Sequence, residues 1–214
     1  GYPSAPAAVD ETTRLRRISL FMHGNRVVRT MEVQGDLATA LRHVAGQPAV
    51  RATEKALDPH LEQKRNLGDP ESARLFFTRA AFPAVHCVAP DTRSDAEKAS
   101  RHALLYRAKE DCGMAVARLL AGQDELAADD PTSPILCSTV FQRGDTVVRV
   151  VDLRAPLESD PVAVLGIRGR RTPGMLARLV RTGAGGDLAN SEQIARFLAE
   201  SEMTLLADHR ADDS

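Results

Sequence analysis

The sequence predicts an α+β protein of two ferredoxin-like units, each an antiparallel sheet with helices on one face, the first unit lacking its opening strand and helix. Three observations carry this. The stretch Ser19-Leu-Phe-Met-His-Gly-Asn-Arg-Val-Val-Arg-Thr-Met-Glu-Val33 returns as Thr139-Val-Phe-Gln-Arg-Gly-Asp-Thr-Val-Val-Arg-Val-Val-Asp-Leu153, in unbroken register. Each copy places a Gly-first pair, Gly24-Asn25 or Gly144-Asp145, between β-branched runs, the short-range signal of a β-hairpin. The elements after residue 100 read β-α-β-β-α(α)-β, the ferredoxin-like order.

In chain order, the first hairpin is followed by a short helix capped by Asp36 and ended by Gly46-Gln47-Pro48. A second helical piece covers 49–57 and stops at Asp58-Pro59. Asp69-Pro70-Glu71 supplies a capping Asp and a Pro at the first helical position, opening a helix through Ala73, Leu75, Phe76 and Phe77. Ala84–Val88 reads as a strand. Residues 90–100 are polar without periodicity and read as a linker, dividing the chain into units 1–90 and 101–214. The second unit opens with a strand at 101–107 and a helix at 112–122. After its hairpin come a helix from Thr172-Pro173 to about Arg181, a capping box at Asn190-Ser-Glu-Gln193, and a strand at 203–207. The first unit starts at its hairpin. It therefore either continues a longer chain N-terminally or takes a strand from elsewhere, and it is expected to associate with itself or with such a segment.

Composition excludes several classes. The 214 residues carry a net charge of −1, so there is no overall positive field for a phosphate backbone, and nucleic acid is not an expected partner. No apolar run is long enough to span a membrane. The three cysteines are odd in number and lack metal-ligand spacing, which suits a reducing cytoplasm. No metal is expected, because the six histidines show no ligand spacing. Gly-Ala-Gly-Gly at 183–186 follows a helix and reads as a connector, not as a phosphate loop.

Hairpin pairing sets Phe21 opposite Val28 and Leu20 opposite Arg29. One face then carries Ile18, Leu20, Met22, Val27, Met31 and Val33, with Arg29 among them. In the second copy Arg149 sits in the same way among Val140, Val147, Val151 and Leu153. A guanidinium on an apolar face requires a carboxylate, a carbonyl cage, an edge from which it reaches water, or a ligand. A structural ion pair and an oxyanion or enolate clamp both satisfy that requirement. His102 and Tyr106 share a face of the strand expected beside that of Arg149. With Arg149 they form a candidate catalytic set for a phenolic substrate. Arg29 and His86 are candidate substrate-binding residues.

The run Phe21-Met-His-Gly-Asn-Arg-Val-Val-Arg29, the segments Gly35–Val44 and Ser72–Ala80, and later Ser138–Arg143 and Arg149–Arg154 resemble the SchA/CurD-like family of aromatic polyketide clusters. The resemblance implies a role in making a spore pigment or related multi-ring polyketide, with an aromatic polyketide intermediate as ligand. It also implies a relation to antibiotic-biosynthesis monooxygenases, which have a dimeric α+β barrel and oxidise phenolic rings without metal or flavin, so no cofactor is expected. Two functions follow. One is a cofactor-independent oxygenase or cyclase in which Arg149 stabilises an enolate or phenolate. The other is a non-catalytic module that holds intermediates or docks a synthase partner.

Overall fold

The computed structural model describes residues 5–57, 59, 69–89, 99–183 and 187–211. Most of the expected linker, the expected stop at Asp58 and residues 184–186 of the Gly-Ala-Gly-Gly segment lie outside these. The protein is α+β, with seven strands among the described residues, whose described pairings are antiparallel. It divides into two compact units, Gly1–Ala81 with Leu205–Ser214, and Phe82–Thr204.

In the first unit β1 (Arg14–His23) and β2 (Arg26–Gln34) form the expected hairpin. Gly24 takes the positive φ that the tight turn needs. Phe21 faces Val28 and Leu20 faces Arg29, the register read from the sequence. The pairing shifts by one residue between Leu15 and Arg17, a bulge absent from the simple alternation. Helix α1 (Leu37–Gly46) starts where the Asp36 side chain accepts from the Thr39 amide at 2.7 Å. Helix α2 (Pro48–Leu57) follows. Ala40, Val44 and Val50 bury against Leu15 and Ile18, with Met31 and Val33 packed beside them. The expected apolar face thins towards the turn, because Met22 and Val27 are largely exposed. Helix α3 (Pro70–Ala80) begins at the Asp69 cap. Within this unit the open side of β1 is taken by β7 (Glu202–Arg210), whose last six residues belong here.

In the second unit the strand order is β7-β4-β6-β5-β3, formed by the start of β7 with β4 (Ser100–Arg107), β6 (Thr146–Leu153), β5 (Ile135–Arg143) and β3 (Ala84–Val88). The strand opening the unit thus lies beside that of Arg149, as its β-α-β-β-α-β reading requires. β3, the last expected element of residues 1–90, pairs here with β5. Helix α4 (Gly113–Ala128) runs past the expected end at 122, because Glu125 to Ala128 continue the helical pattern to a cap at Asp129. After a 3₁₀ turn at Leu157–Ser159 come α5 (Pro161–Val164), α6 (Thr172–Leu179) and α7 (Ser191–Ser201). α6 ends short of Arg181 because Val180 becomes extended and bridges Ala108. At α7 the Asn190 side chain caps the Gln193 amide. The Gln193 side chain reaches back to Ala189, one residue earlier than a standard capping box. Leu104, Tyr106, Val116, Leu120, Val147, Val151 and Leu165 are among the fully buried residues of this core.

Two glycines of α4 give opposite tests. A Cβ on Gly113 would lie 1.9 Å from the Gly144 carbonyl oxygen, so α4 meets the second hairpin turn backbone to backbone, whereas a Cβ on Gly122 meets nothing within 4 Å. Gly113→Ala is expected to cost ~1–3 kcal/mol through overpacking. Gly122→Ala is expected to add ~0.5–1 kcal/mol through helix propensity. Urea unfolding of the two variants checks both signs.

Candidate functional site

Helix α4 buries Val116, Ala117, Leu120, Asp124 and Ala127 at helical spacing, which sets one carboxylate in an otherwise apolar stripe. On the sheet below, Arg149 pairs across the strands with Leu104 on one side and Val140 on the other, and it is 0% exposed. Its Nη2 donates to Asp124 Oδ1, and its Nε to Ser138 Oγ at 3.2 Å. Ser138 Oγ in turn donates to the other Asp124 oxygen at 2.7 Å. Nη1 donates to the carbonyls of Ala163 and Val164, and the Tyr106 hydroxyl donates to the next carbonyl, Leu165, at 3.0 Å.

The carbonyl cradle needs a glycine behind it. Gly166 has φ of +67°, and a Cβ there would lie 2.8 Å from Leu120 Cδ2 and 3.2 Å from Arg149 Nη1. Arg168 anchors the far side of the segment, bridging Asp130 at 2.7 Å and Asp160 at 2.8 Å. The Asp130 carboxyl is held down to about 2, first by its hydrogen bonds from Thr132 and then by Arg168.

Burial opposes the Arg149 charge, but Asp124 and then Tyr106 outweigh it, and the guanidinium pKa is raised. The Tyr106 phenol is pushed far above the ordinary tyrosine range by burial, which the Arg149 charge only partly offsets. Tyr106 is thereby a neutral hydrogen-bond donor at any physiological pH.

Of the three residues expected to act together, Arg149 and Tyr106 meet. His102, although on the same strand face, is half-buried at its rim, with Nδ1 3.3 Å from Glu202 and Nε2 3.2 Å from Ser100 Oγ. Arg29, in the first unit, repeats the logic of Arg149 in a wetter setting: Nη1 lies 3.1 Å from Glu54 on α2, with both side chains partly exposed. His86 pairs with Val140 on β5, and its Nε2 is buried without a hydrogen-bond partner among the described residues. Asp124 and Ser138 were missed by the sequence reading. The lone acid within the apolar stripe of α4 was the available signal for the first.

Chemically, the cluster is a closed ion pair in a carbonyl cradle. The cavity of about 50 Å3 beside α7, lined by Leu188, Phe197 and Glu200, includes none of Arg149, Tyr106 and His102. Among the described residues no group of acidic, histidine or cysteine side chains is placed to hold a metal. No described helix is long and apolar enough to cross a membrane.

These features define an α+β sheet protein whose second unit is pinned by a buried arginine–carboxylate pair. Residues 1–90 match the family model described as SchA/CurD like domain, and this part of the chain belongs to the SchA/CurD-like family. The chain is 56% identical over 216 residues to "Polyketide synthase CurD" of Streptomyces cyaneus, covering 99% of this chain and 58% of that protein. It is 51% identical over 212 residues to "42.8 kDa protein in whiE locus" of Streptomyces coelicolor, covering 98% and 53%. The chain therefore spans about half the length of these relatives. Among solved structures, an anthrone oxidase-like protein aligns over 96% of this chain and 84% of its own, at a TM-score of 0.40 and 8% identity.

Arg149→Met leaves Asp124 charged and buried, so a loss of roughly 3–5 kcal/mol is expected in denaturant unfolding. Arg149→Met with Asp124→Leu should recover most of that loss, since an apolar pair replaces the ion pair. Tyr106 gives a second test. Its folded pKa lies above the unfolded value, so its contribution to stability is complete below pH about 10 and is lost as the pH rises beyond it. In an ultraviolet tyrosinate titration, one of the two tyrosines should fail to ionise until the protein unfolds.

Proposed function

We propose that the chain serves aromatic polyketide biosynthesis, and that its second unit is a rigid binding or assembly scaffold in which Arg149 holds the fold. The pathway rests on similarity to a protein named as a polyketide synthase, at 56% identity. The scaffold reading rests on one observation: the guanidinium is 0% exposed and already faces a carboxylate, a hydroxyl and two carbonyls. An oxyanion clamp must instead aim its donors where substrate charge develops. The finer architecture, a duplicated ferredoxin-like pair of the dimeric α+β barrel type, is proposed on the equal hairpin registers and on the arginine–carboxylate pair that each unit builds at the same hairpin position.

A second reading, the cofactor-independent oxygenase or cyclase, is favoured by the convergence of Tyr106, Arg149 and Asp124 on one point. In it the Pro161–Leu165 segment lifts away, a phenolic intermediate places its anion on Arg149, and His102 at the rim takes the proton. Product analysis in a strain lacking this protein separates the readings. Altered polyketide products are expected, with restoration by both the wild type and the Arg149→Met/Asp124→Leu double variant. A folded double variant that fails to restore the products establishes the catalytic reading. Unchanged products on deletion overturn the pathway role itself.

A further inference from the structure

We propose that the exposed face of α6, in the second unit, docks a partner protein that presents an acidic helix with carboxylates on either side of an apolar side chain. The inner face of α6 is Thr172 and Leu176, both buried, with Leu179 packed against the core. Arg171, Met175 and Arg178 stand at i, i+4 and i+7, which sets them in one row on the opposite face. All three are exposed, Met175 at 48%, and Gly174 lies beside them.

Helix stability does not account for this row. A helix gains from a side-chain cap and from acids in its first turn. α6 has neither: its N-cap is Arg171, which makes no capping bond, and no acid stands in the first turn. Arg170, also exposed, adds a second cation at the end where the helix dipole is already positive. At the other end Lys109 Nζ donates to the carbonyls of Ala177 and Arg178 at 3.4 and 2.7 Å, which fixes its charge beside Arg178. The side chains of Arg170, Arg171 and Arg178 form no hydrogen bond or ion pair among the described residues, and Glu110 and Asp111, which follow Lys109, pair with none of them. A lone exposed Met is ordinary, but a Met centred between unpaired arginines has the apolar centre and polar rim of an interface.

Spacing and charge select the partner. The rise of a helix puts the Cα atoms of Arg171 and Arg178 ~10 Å apart. Carboxylates at i and i+7 of a facing helix match that distance, and an apolar side chain at i+3 then meets Met175. A Cβ on Gly174 would have nothing within 4 Å, so the approach is open. A compact anion would engage one end of the row and leave Met175 unused. A second copy docked through the same face would set arginines against arginines, because an isologous contact uses one patch on both subunits. The proposal rests on the scaffold reading only in treating the second unit as an assembly surface.

The test is a nuclear magnetic resonance titration of the full chain with a synthetic helical peptide carrying Glu at i and i+7 and Leu at i+3. The peptide should shift the amides of 170–179, and the same peptide with Gln for both Glu should bind ~5-fold more weakly, the loss of two exposed charge pairs. Arg171→Glu/Arg178→Glu should weaken the acidic peptide at least ~10-fold and should bind a Lys version of it instead. Arg171→Glu alone should weaken the peptide while its urea midpoint holds or rises, since an acid suits the first turn. Absent or scattered shifts, equal binding of the Gln peptide, or no gain of the Lys peptide by the reversed variant overturns the proposal. So does inorganic phosphate binding the same amides as tightly as the peptide, or self-association of the free chain that the reversed variant abolishes. Should the double variant fail to fold, Arg171→Glu and the Gln peptide decide alone. Product analysis with the Arg149→Met/Asp124→Leu variant reads the scaffold independently, so the two can fail separately.

Discussion

The burial of Arg149 against Asp124 is the constraint around which the second unit is arranged. A guanidinium removed from water needs an opposite charge and hydrogen-bond acceptors on its edges, and the unit supplies them from separate elements. Helix α4 gives the carboxylate, β5 the Ser138 hydroxyl, and the segment after β6 its carbonyls. Each supplier is thereby fixed in rotation and height over the sheet. Asp124 must face down from α4, which aligns Val116 and Leu120 with the same core. Residues 163–166 must turn their carbonyls inward, which only the glycine at 166 allows beside Leu120.

The same device recurs at graded depth. Arg101 and Asp152 are direct cross-strand partners on β4 and β6, buried and joined by two parallel bonds, Nε to Oδ1 and Nη2 to Oδ2. A slip of one residue would part them, so this pair fixes register. In the first unit Arg17–Asp208 ties β1 to β7, and Arg29–Glu54 ties β2 to α2 with more exposure to water. Buried pairs of this kind contribute little net stability compared with well-packed apolar groups. Their consequence is specificity: each allows few alternative packings of the elements it joins.

For function, a polar cluster and a reactive site are separated by access. Around Arg149 the polar groups satisfy one another and are sealed, which suits a rigid frame. In the first unit, basic and apolar side chains instead line an open cleft of about 200 Å3.

The sequence by itself determined the α+β class, both hairpins with their registers, the helix starts at Asp36, Asp69 and Asn190, and the presence of an arginine in each apolar face. These are local properties: turn chemistry, side-chain alternation and capping act within a few residues of one another. Tertiary structure decided the rest. Which carboxylate meets Arg149 depends on a helix that begins 36 residues earlier, and the Arg17–Asp208 contact joins residues 191 apart. The bulge at Leu15–Arg17 changes which face a side chain takes, with no Gly or Pro to announce it. Whether Arg149 clamps a substrate or closes an ion pair was undecidable from spacing, because both need the same residue in the same strand. The position of Asp124 and of the carbonyls of Ala163 and Val164 around that arginine is fixed by packing at long range, which local spacing does not contain.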